Sequence, residues 1–443
     1  VLRILSFVFF ALVLLLPILD LTERRDPKST SVQRRAPIAN PTPFPTPSIK
    51  ITDWLRPPMK GRTVTVTAGP NLAARIQTAQ DRADVGSVIL EGGGRIDQQI
   101  TLKKHTVFQS GHYTPNTRGI IDSGVFLVAS GVQVEFGPTA VVWQPDYDVP
   151  YGEGRIHATI IFQALDSHQG AARDIVFVRP RLRAKPMTNY RLSGVRQAIS
   201  LGNCTNCAVI EADLKDLGSI GVQFGGTASK GNHAVHGLVY GGRFEHIAAA
   251  AIAIVNGRDI TVMKPTVLRP GHADPAPGGV SGVDIETNNA DDWCADLRVY
   301  NGLFDYTNAL RYGSAVLAQN AYHVKGCTGL VIANNRAVYT IGRTGGGLTS
   351  GIFFTGAFPG GLVINNYIQR SLQAGIQLYG AAETLFQDNT LVSVGGGGLP
   401  AIYIQAGGKN VFRRTRITVD ESLGGSVSGE IKQIDSPGNI FEP

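Results

Sequence analysis

Residues 363–368 read VINNYI: an apolar residue, two variable positions, a turn former, a further variable position and a second apolar residue. The same six-residue pattern recurs as FVRPRL (177–182), VIEADL (209–214), VYGGRF (239–244), VMKPTV (262–267), VYNGLF (299–304), IANNRA (332–337), FQDNTL (386–391) and FRRTRI (412–417), at spacings of 23 to 37 residues. Between its copies runs a second element, Gly or Ala followed by apolar-x-apolar. It appears as AISL from 198, GVQF from 221, AIAI from 251, GVDI from 282, ALRY from 309, GIFF from 351, GIQL from 375 and AIYI from 401. Repeats of this length mark solenoids, in which each unit completes its core only against its neighbours. Alternation with a period of two makes the units strands and not helices. Asn335, Asn366 and Asn389 fall at equivalent turn positions, which predicts a stacked Asn column. Asn suits such a turn because it tolerates left-handed backbone.

One segment departs from the strand pattern. NLAARIQTAQDRAD (71–84) is an amphipathic helix, placed where a solenoid needs its open end covered. Ahead of it, residues 4–19 (ILSFVFFALVLLLPIL) are apolar apart from Ser6, short for a membrane span but suited to a secretory signal core or an export anchor. Arg24 and Arg25 beyond it complicate the orientation, because positive charge disfavours translocation. The chain opens on Val1, which leaves open a start further upstream that carries a basic segment. Residues 1–36 are therefore expected to form a signal peptide or membrane anchor. Residues 37–61, opening on PIANPTPFPTP, read as an extended linker, and residues 62–443 as the folded body. Of 41 basic residues, ten lie in residues 1–62 against four of the 34 acids, so the body is nearly neutral. Its charge gives no support to a nucleic-acid partner.

These coils, with the helix and the Asn turns, resemble the right-handed parallel β-helix of the pectin-lyase-like superfamily over residues 62–443. The resemblance implies an all-β single-stranded solenoid with an N-terminal capping helix. That superfamily holds polysaccharide hydrolases, lyases and epimerases as well as tailspikes and non-catalytic surface proteins. Fold alone does not choose among them.

The chemistry must come from GVSGVDIETNNADDWC (279–294), which gathers Asp284, Glu286, Asp291 and Asp292. In the Gly/Ala-apolar-x-apolar strand the apolar residues face inward, so the x position faces outward. Stacking the coils gives an outward column of Ser200, Gln223, Ala253, Asp284, Arg311, Phe353, Gln377 and Tyr403. A second column, two residues on, holds Val255, Glu286, Gly313, Thr355 and Tyr379. Asp284 and Glu286 are then about 6.5 to 7 Å apart, and Arg311 is expected about 4.8 Å along the axis from Asp284. Long loops on the same side bring His272 and Arg343, and loops carry function disproportionately. Paired carboxyls, an Arg and aromatic platforms suit a carbohydrate chain. With roughly 6.5 to 9.5 Å between the carboxyls they suit inverting glycoside hydrolysis.

Asp284, Glu286 and Arg311 are thus the candidate catalytic residues, with Glu286 expected as the acid and Arg311 holding Asp284 ionised. His272, Arg343, Phe353, Gln377, Tyr379 and Tyr403 are candidate substrate-binding residues. The alternative for Asp284 and Arg311 is a surface ion pair between adjacent coils. Asp291 and Asp292 read as a solvated turn or, with Asn288 and Asn289, as Ca²⁺ ligands.

The motifs of known activities match in part. Asp291-Asp292 gives the D-D of polygalacturonases, but the histidine motif is G-H-A at 271–273, on the wrong side, and the pectate-lyase W-x-D-H is absent. A lyase using Arg311 or Arg343, an epimerase and a non-catalytic glycan-binding surface protein stay open beside the hydrolase. Cys294 and Cys327, each three residues before an equivalent strand position, are expected to stack within disulfide range. Cys204 and Cys207 (CTNC) lack partners for a zinc site. His233, His236 and His246 read as polar surface. The expected setting is extracytoplasmic, with a polysaccharide as substrate or ligand and a tether through residues 4–19.

Overall fold

The computed structural model describes residues 43–116, 124–144, 160–166, 171–184, 197–226, 233–270, 280–307, 309, 313–320, 327–339, 350–371, 373–380, 383–395, 400–419 and 431–443. One coil shows the plan. Gly361–Ile364 runs to a tight turn, Tyr367–Gln369 follows, Ile376–Tyr379 comes after a loop, and Thr384–Gln387 opens the next coil. Every strand pairs in parallel with its counterpart one coil on: Val363 with Phe386, Ile368 with Leu391, Gln377 with Tyr403. The strands of the Gly/Ala element form a 12-stranded parallel sheet, and the remaining strands join into a 25-stranded sheet that wraps the other sides. The interior is one continuous apolar core in which like stacks on like. Phe386 stacks on Phe412 at 4.6 Å between ring centroids, as Tyr306 does on Tyr339, and exposed Phe441 continues the stack at 4.9 Å from Phe412.

The tight turn explains the six-residue pattern. Its third position is left-handed in all nine copies: Arg179, Glu211, Gly241, Lys264, Asn301, Asn334, Asn365, Asp388 and Arg414, with φ from 47° to 64°. Each of these residues donates its backbone N–H to a carbonyl of the following coil, as Asn365 does to Gln387 and Asp388 to Arg413, both at 3.0 Å. Coil stacking, more than residue type, therefore holds Glu, Lys and Arg in a conformation they disfavour.

The Asn column exists, but the reason for it differs from the one expected. Asn335, Asn366 and Asn389 follow the left-handed residue and turn their side chains into the buried bend. Asn366 Nδ2 donates to Asn389 Oδ1 at 3.0 Å and to the Ile332 carbonyl at 2.9 Å, and Asn389 Oδ1 also accepts the Asn366 backbone N–H at 3.0 Å. Asn335 repeats the arrangement on Asn366. A second stack, Asn410 on Asn439, is bonded in the same way elsewhere on the coil.

The helix spans Leu72–Asp81, shorter than its sequence pattern, and Asn71 before it is left-handed and makes no side-chain cap. Leu72, Ala73, Ile76 and Ala79 enter the core. Gln80 is buried at the helix end. Its Oε1 accepts the N–H groups of Lys103 and Lys104, and its Nε2 donates to Thr106 Oγ1. That this helix seals the end of the core is our proposal.

The segment expected as a linker is packed over its described part. Asn334 Nδ2 donates to the Phe44 carbonyl and Asn334 Oδ1 accepts the Phe44 N–H, at 2.8 and 2.9 Å. Ile49, Ile51 and Trp54 lie against Val176, Val178, Ala208, Ile210 and Leu238. Trp54 stacks on His236 at 4.8 Å, and Arg56 Nη2 donates to the Asn206 carbonyl. The outward faces of these central strands are apolar, and the strap covers them. Pro keeps it extended and free of competing backbone pairing.

Cys294 and Cys327 form a disulfide with Cα atoms 4.3 Å apart, as the coil alignment requires, and Cys204 pairs with Cys207. Among the described residues no helix is long and apolar enough to cross a membrane. Residues 4–19 lie outside them.

Candidate active site

The strand Ser281–Glu286 belongs to the 12-stranded sheet. Val283 and Ile285 are fully buried in the core, so Asp284 and Glu286 project from the opposite face, where both are partly exposed. Most of the expected outward column holds: Ser200, Gln223, Ala253 and Asp284 lie in register, and so do Phe353, Gln377 and Tyr403.

The exception is the coil after Asp284. Its strand is Ser314–Gln319 and not the ALRY segment, so Leu317 stands beside Asp284, and Gln319 beside Glu286. Arg311 precedes that strand, and with His272 and Arg343 it lies outside the described residues. The strand's entry needs a glycine, since a Cβ on Gly313 would come 1.7 Å from the Val280 carbonyl oxygen. The second column is corrected likewise, with Gln319 where Gly313 was expected.

Asp284 therefore sits between two buried apolar neighbours, Ala253 and Leu317, and its Oδ1 lies 3.4 Å from Gln319 Nε2. Burial pushes its carboxyl well above the ordinary carboxylate range, and the neighbouring Glu286 pushes it further. Burial raises Glu286 too. A side-chain hydrogen bond with Asn288 opposes the rise and the Asp292 charge adds to it. Both carboxyls are thus held above the ordinary range. The residue next to Asp284 on the following coil is Leu317, so no cation stands where Arg311 was expected to hold Asp284 ionised.

Asp292 is fully buried, and its Oδ2 accepts the N–H groups of Asn288 and Asn289 at 2.6 and 3.0 Å, which locks the turn after the acidic strand. Asp291 is exposed, its N–H donating to Asn289 Oδ1. Among the described residues no three His, Cys, Asp or Glu groups come together as metal ligands. Asp292 acts through these bonds as a turn lock.

The aromatic residues on the later coils are more enclosed than expected. Phe353 and Gln377 are buried, Gln377 accepting from Ser350 Oγ. Phe353, Tyr379 and Tyr403 meet edge to face at 5.4 and 5.9 Å, and Tyr379 keeps partial exposure. On the other side of the pair lies a group that the sequence reading left as surface. His233 Nδ1 is 3.0 Å from Asn256 Oδ1, which also accepts the Trp293 N–H at 2.9 Å, and the His233 and Trp293 rings are 5.1 Å apart. Trp293 could be found in the insertion 288–295. His233 and Asn256 lie on other coils and carry no local motif.

The architecture is a right-handed parallel β-helix, and the acids lie on the outer face of one of its sheets. Among solved structures the chain is similar to a hyperthermoactive exopolygalacturonase from Thermotoga maritima, with a TM-score of 0.54 and 11% identity over 83% of this chain and 94% of that one. It is also similar to a family 28 exopolygalacturonase of Yersinia enterocolitica (TM-score 0.49, 10% identity, 86% and 78% covered) and to a surface adhesin of Streptococcus pneumoniae (TM-score 0.36, 10% identity, 84% and 87% covered). No family model and no curated protein sequence matches the chain. At such identities the likeness establishes the fold and leaves the activity to the site.

Proposed function

We propose that this chain is an extracytoplasmic, carbohydrate-active β-helix protein that hydrolyses a polysaccharide with inversion at Asp284 and Glu286. The observation that carries this reading is the pair itself. Two partly exposed carboxyls stand two residues apart on one strand face, and burial raises the pKa of each. Asp284 protonates the leaving glycosidic oxygen. Glu286, whose rise is opposed by Asn288, deprotonates a water that attacks from the opposite face. The spacing of about 6.5 to 7 Å along the strand leaves room for that water. The cystine pairs suit an oxidising compartment, and export through residues 4–19 belongs to the same proposal.

The test incubates the protein with a polysaccharide panel and measures reducing ends and absorbance at about 235 nm, the region of unsaturated uronate products. Reducing ends without the absorbance, lost in Asp284→Asn, support the hydrolase. Unsaturated products would assign a lyase. No product from any substrate would favour a glycan-binding surface protein.

A further inference from the structure

The group beside the acidic strand has a defined hydrogen-bonding state. The Trp293 backbone N–H can only donate, so the Asn256 side-chain atom it meets is the oxygen. That oxygen is also 3.0 Å from His233 Nδ1, so Nδ1 carries the proton. Burial lowers the His233 pKa, more than the nearby Asp292 charge raises it. The neutral imidazole is thereby fixed with Nε2 as an acceptor. Asn256 is fully buried and makes the arrangement rigid, while the Trp293 indole is 38% exposed on a turn locked by Asp292. An exposed indole with a fixed neutral acceptor next to it is what one sugar ring needs, an apolar face to stack on and a partner for a hydroxyl.

We propose that Trp293 and His233 form a sugar-binding subsite next to Glu286, and that it takes a neutral pyranose and not a uronate. The indole stacks on the ring and His233 Nε2 accepts a hydroxyl proton. Preference for a neutral sugar is argued from the surroundings, because Asp291, Asp292 and Glu286 share this strand and turn, outnumber Arg258, the cation that acts on His233, and would repel a carboxylate on the sugar. Use of the subsite in cleavage rests on the hydrolase reading. Binding does not.

The experiment uses the full chain with Asp284→Asn, which prevents turnover without touching the subsite. The probes are cellohexaose, laminarihexaose, xylohexaose, mannohexaose and hexagalacturonate, followed by calorimetry and tryptophan fluorescence. At least one neutral hexasaccharide is expected to bind and to change the fluorescence. In this background Trp293→Ala should weaken it about tenfold and remove the fluorescence change, although Trp54 and Trp143 remain. His233→Ala should weaken it about three- to tenfold, and Trp293→Phe should recover part of the affinity, which excludes simple misfolding. The proposal is overturned if no neutral probe binds, if Trp293→Ala leaves binding unchanged, or if hexagalacturonate binds most tightly. The two readings separate cleanly. Trp293-dependent binding by a chain whose wild type cleaves nothing would keep the subsite and remove the hydrolase. Cleavage with a KM indifferent to Trp293→Ala would do the reverse.

Discussion

Leu317 lies in register with Asp284 on the following coil and puts a buried apolar side chain beside its carboxyl. Both carboxyl pKa values are raised on folding, so the folded chain binds more protons than the unfolded chain in the interval between the two sets of values. The stability these groups contribute is then fullest below the ordinary carboxylate range, and it declines as pH rises toward the raised values. Asp284→Asn removes the cost of a buried charge. It should raise the thermal midpoint at neutral pH, with the gain vanishing near pH 3, while turnover falls at least about 100-fold. Melting curves at both pH values, with assays on any cleaved substrate, check this. A midpoint that falls at neutral pH would mean that the carboxylate is stabilised by partners.

The Asn column is expected to carry stability. Asn366→Leu leaves the Asn335 N–H and the Ile332 carbonyl without their side-chain partners inside a buried bend. The loss should be about 1–3 kcal/mol, read by urea unfolding. Glu211→Gly, at the equivalent left-handed position of an earlier coil, should be neutral or mildly stabilising because glycine relieves the φ of 54°.

The strap gives a third expectation. Trp54→Ala removes the ring stacked on His236 and uncovers part of the apolar strip of Val176, Ala208 and Leu238. A loss of about 1–3 kcal/mol is expected, with increased binding of a hydrophobic dye to the native state. An unchanged unfolding curve would make the strap a passive tether.

How much of this could be read from the sequence depends on what a periodic pattern reports. Alternation records burial of one strand face, so the coil order, the outward direction of Asp284 and Glu286 and the Asn column were all legible. What pairs across coils is less so. ALRY and AVLA both fit the same template within a few residues, and only the burial of Ala315, Val316, Leu317 and Ala318 selects the second. That shift puts Leu317, in place of the expected Arg311, beside Asp284. The strap was legible as extended from its prolines, but nothing local says that Ile51 and Trp54 face an apolar strip formed by strands far along the chain. His233 and Asn256 were invisible for the same reason, since their partnership with Trp293 spans three coils.

The Cys294–Cys327 disulfide closes 33 residues of chain between successive coils, with both sulfurs in the core. Removing it by Cys294→Ala and Cys327→Ala together should cost about 2–4 kcal/mol. Because the pair lies just beyond the turn locked by Asp292, the double variant should also reduce the rigidity of the Trp293 loop. Hydrogen exchange at residues 288–293 checks the second effect independently of the first.

The last prediction returns to the neighbour of Asp284. Leu317→Arg puts a cation on the strand paired with Asp284, about 4.8 Å away between backbones and on the face that Asp284 shares. An opposite charge at that distance favours the ionised form and should lower the Asp284 pKa by about one unit or more. If Asp284 is the acid, the alkaline limb of the pH–activity profile moves to lower pH and activity at neutral pH falls. If Asp284 is instead the base, the acidic limb moves to lower pH and neutral activity is kept. Leu317→Met, of similar volume and uncharged, separates this effect from disturbed packing. A profile unchanged by Leu317→Arg, in a variant that folds and melts like the Met control, would remove Asp284 from the chemistry altogether.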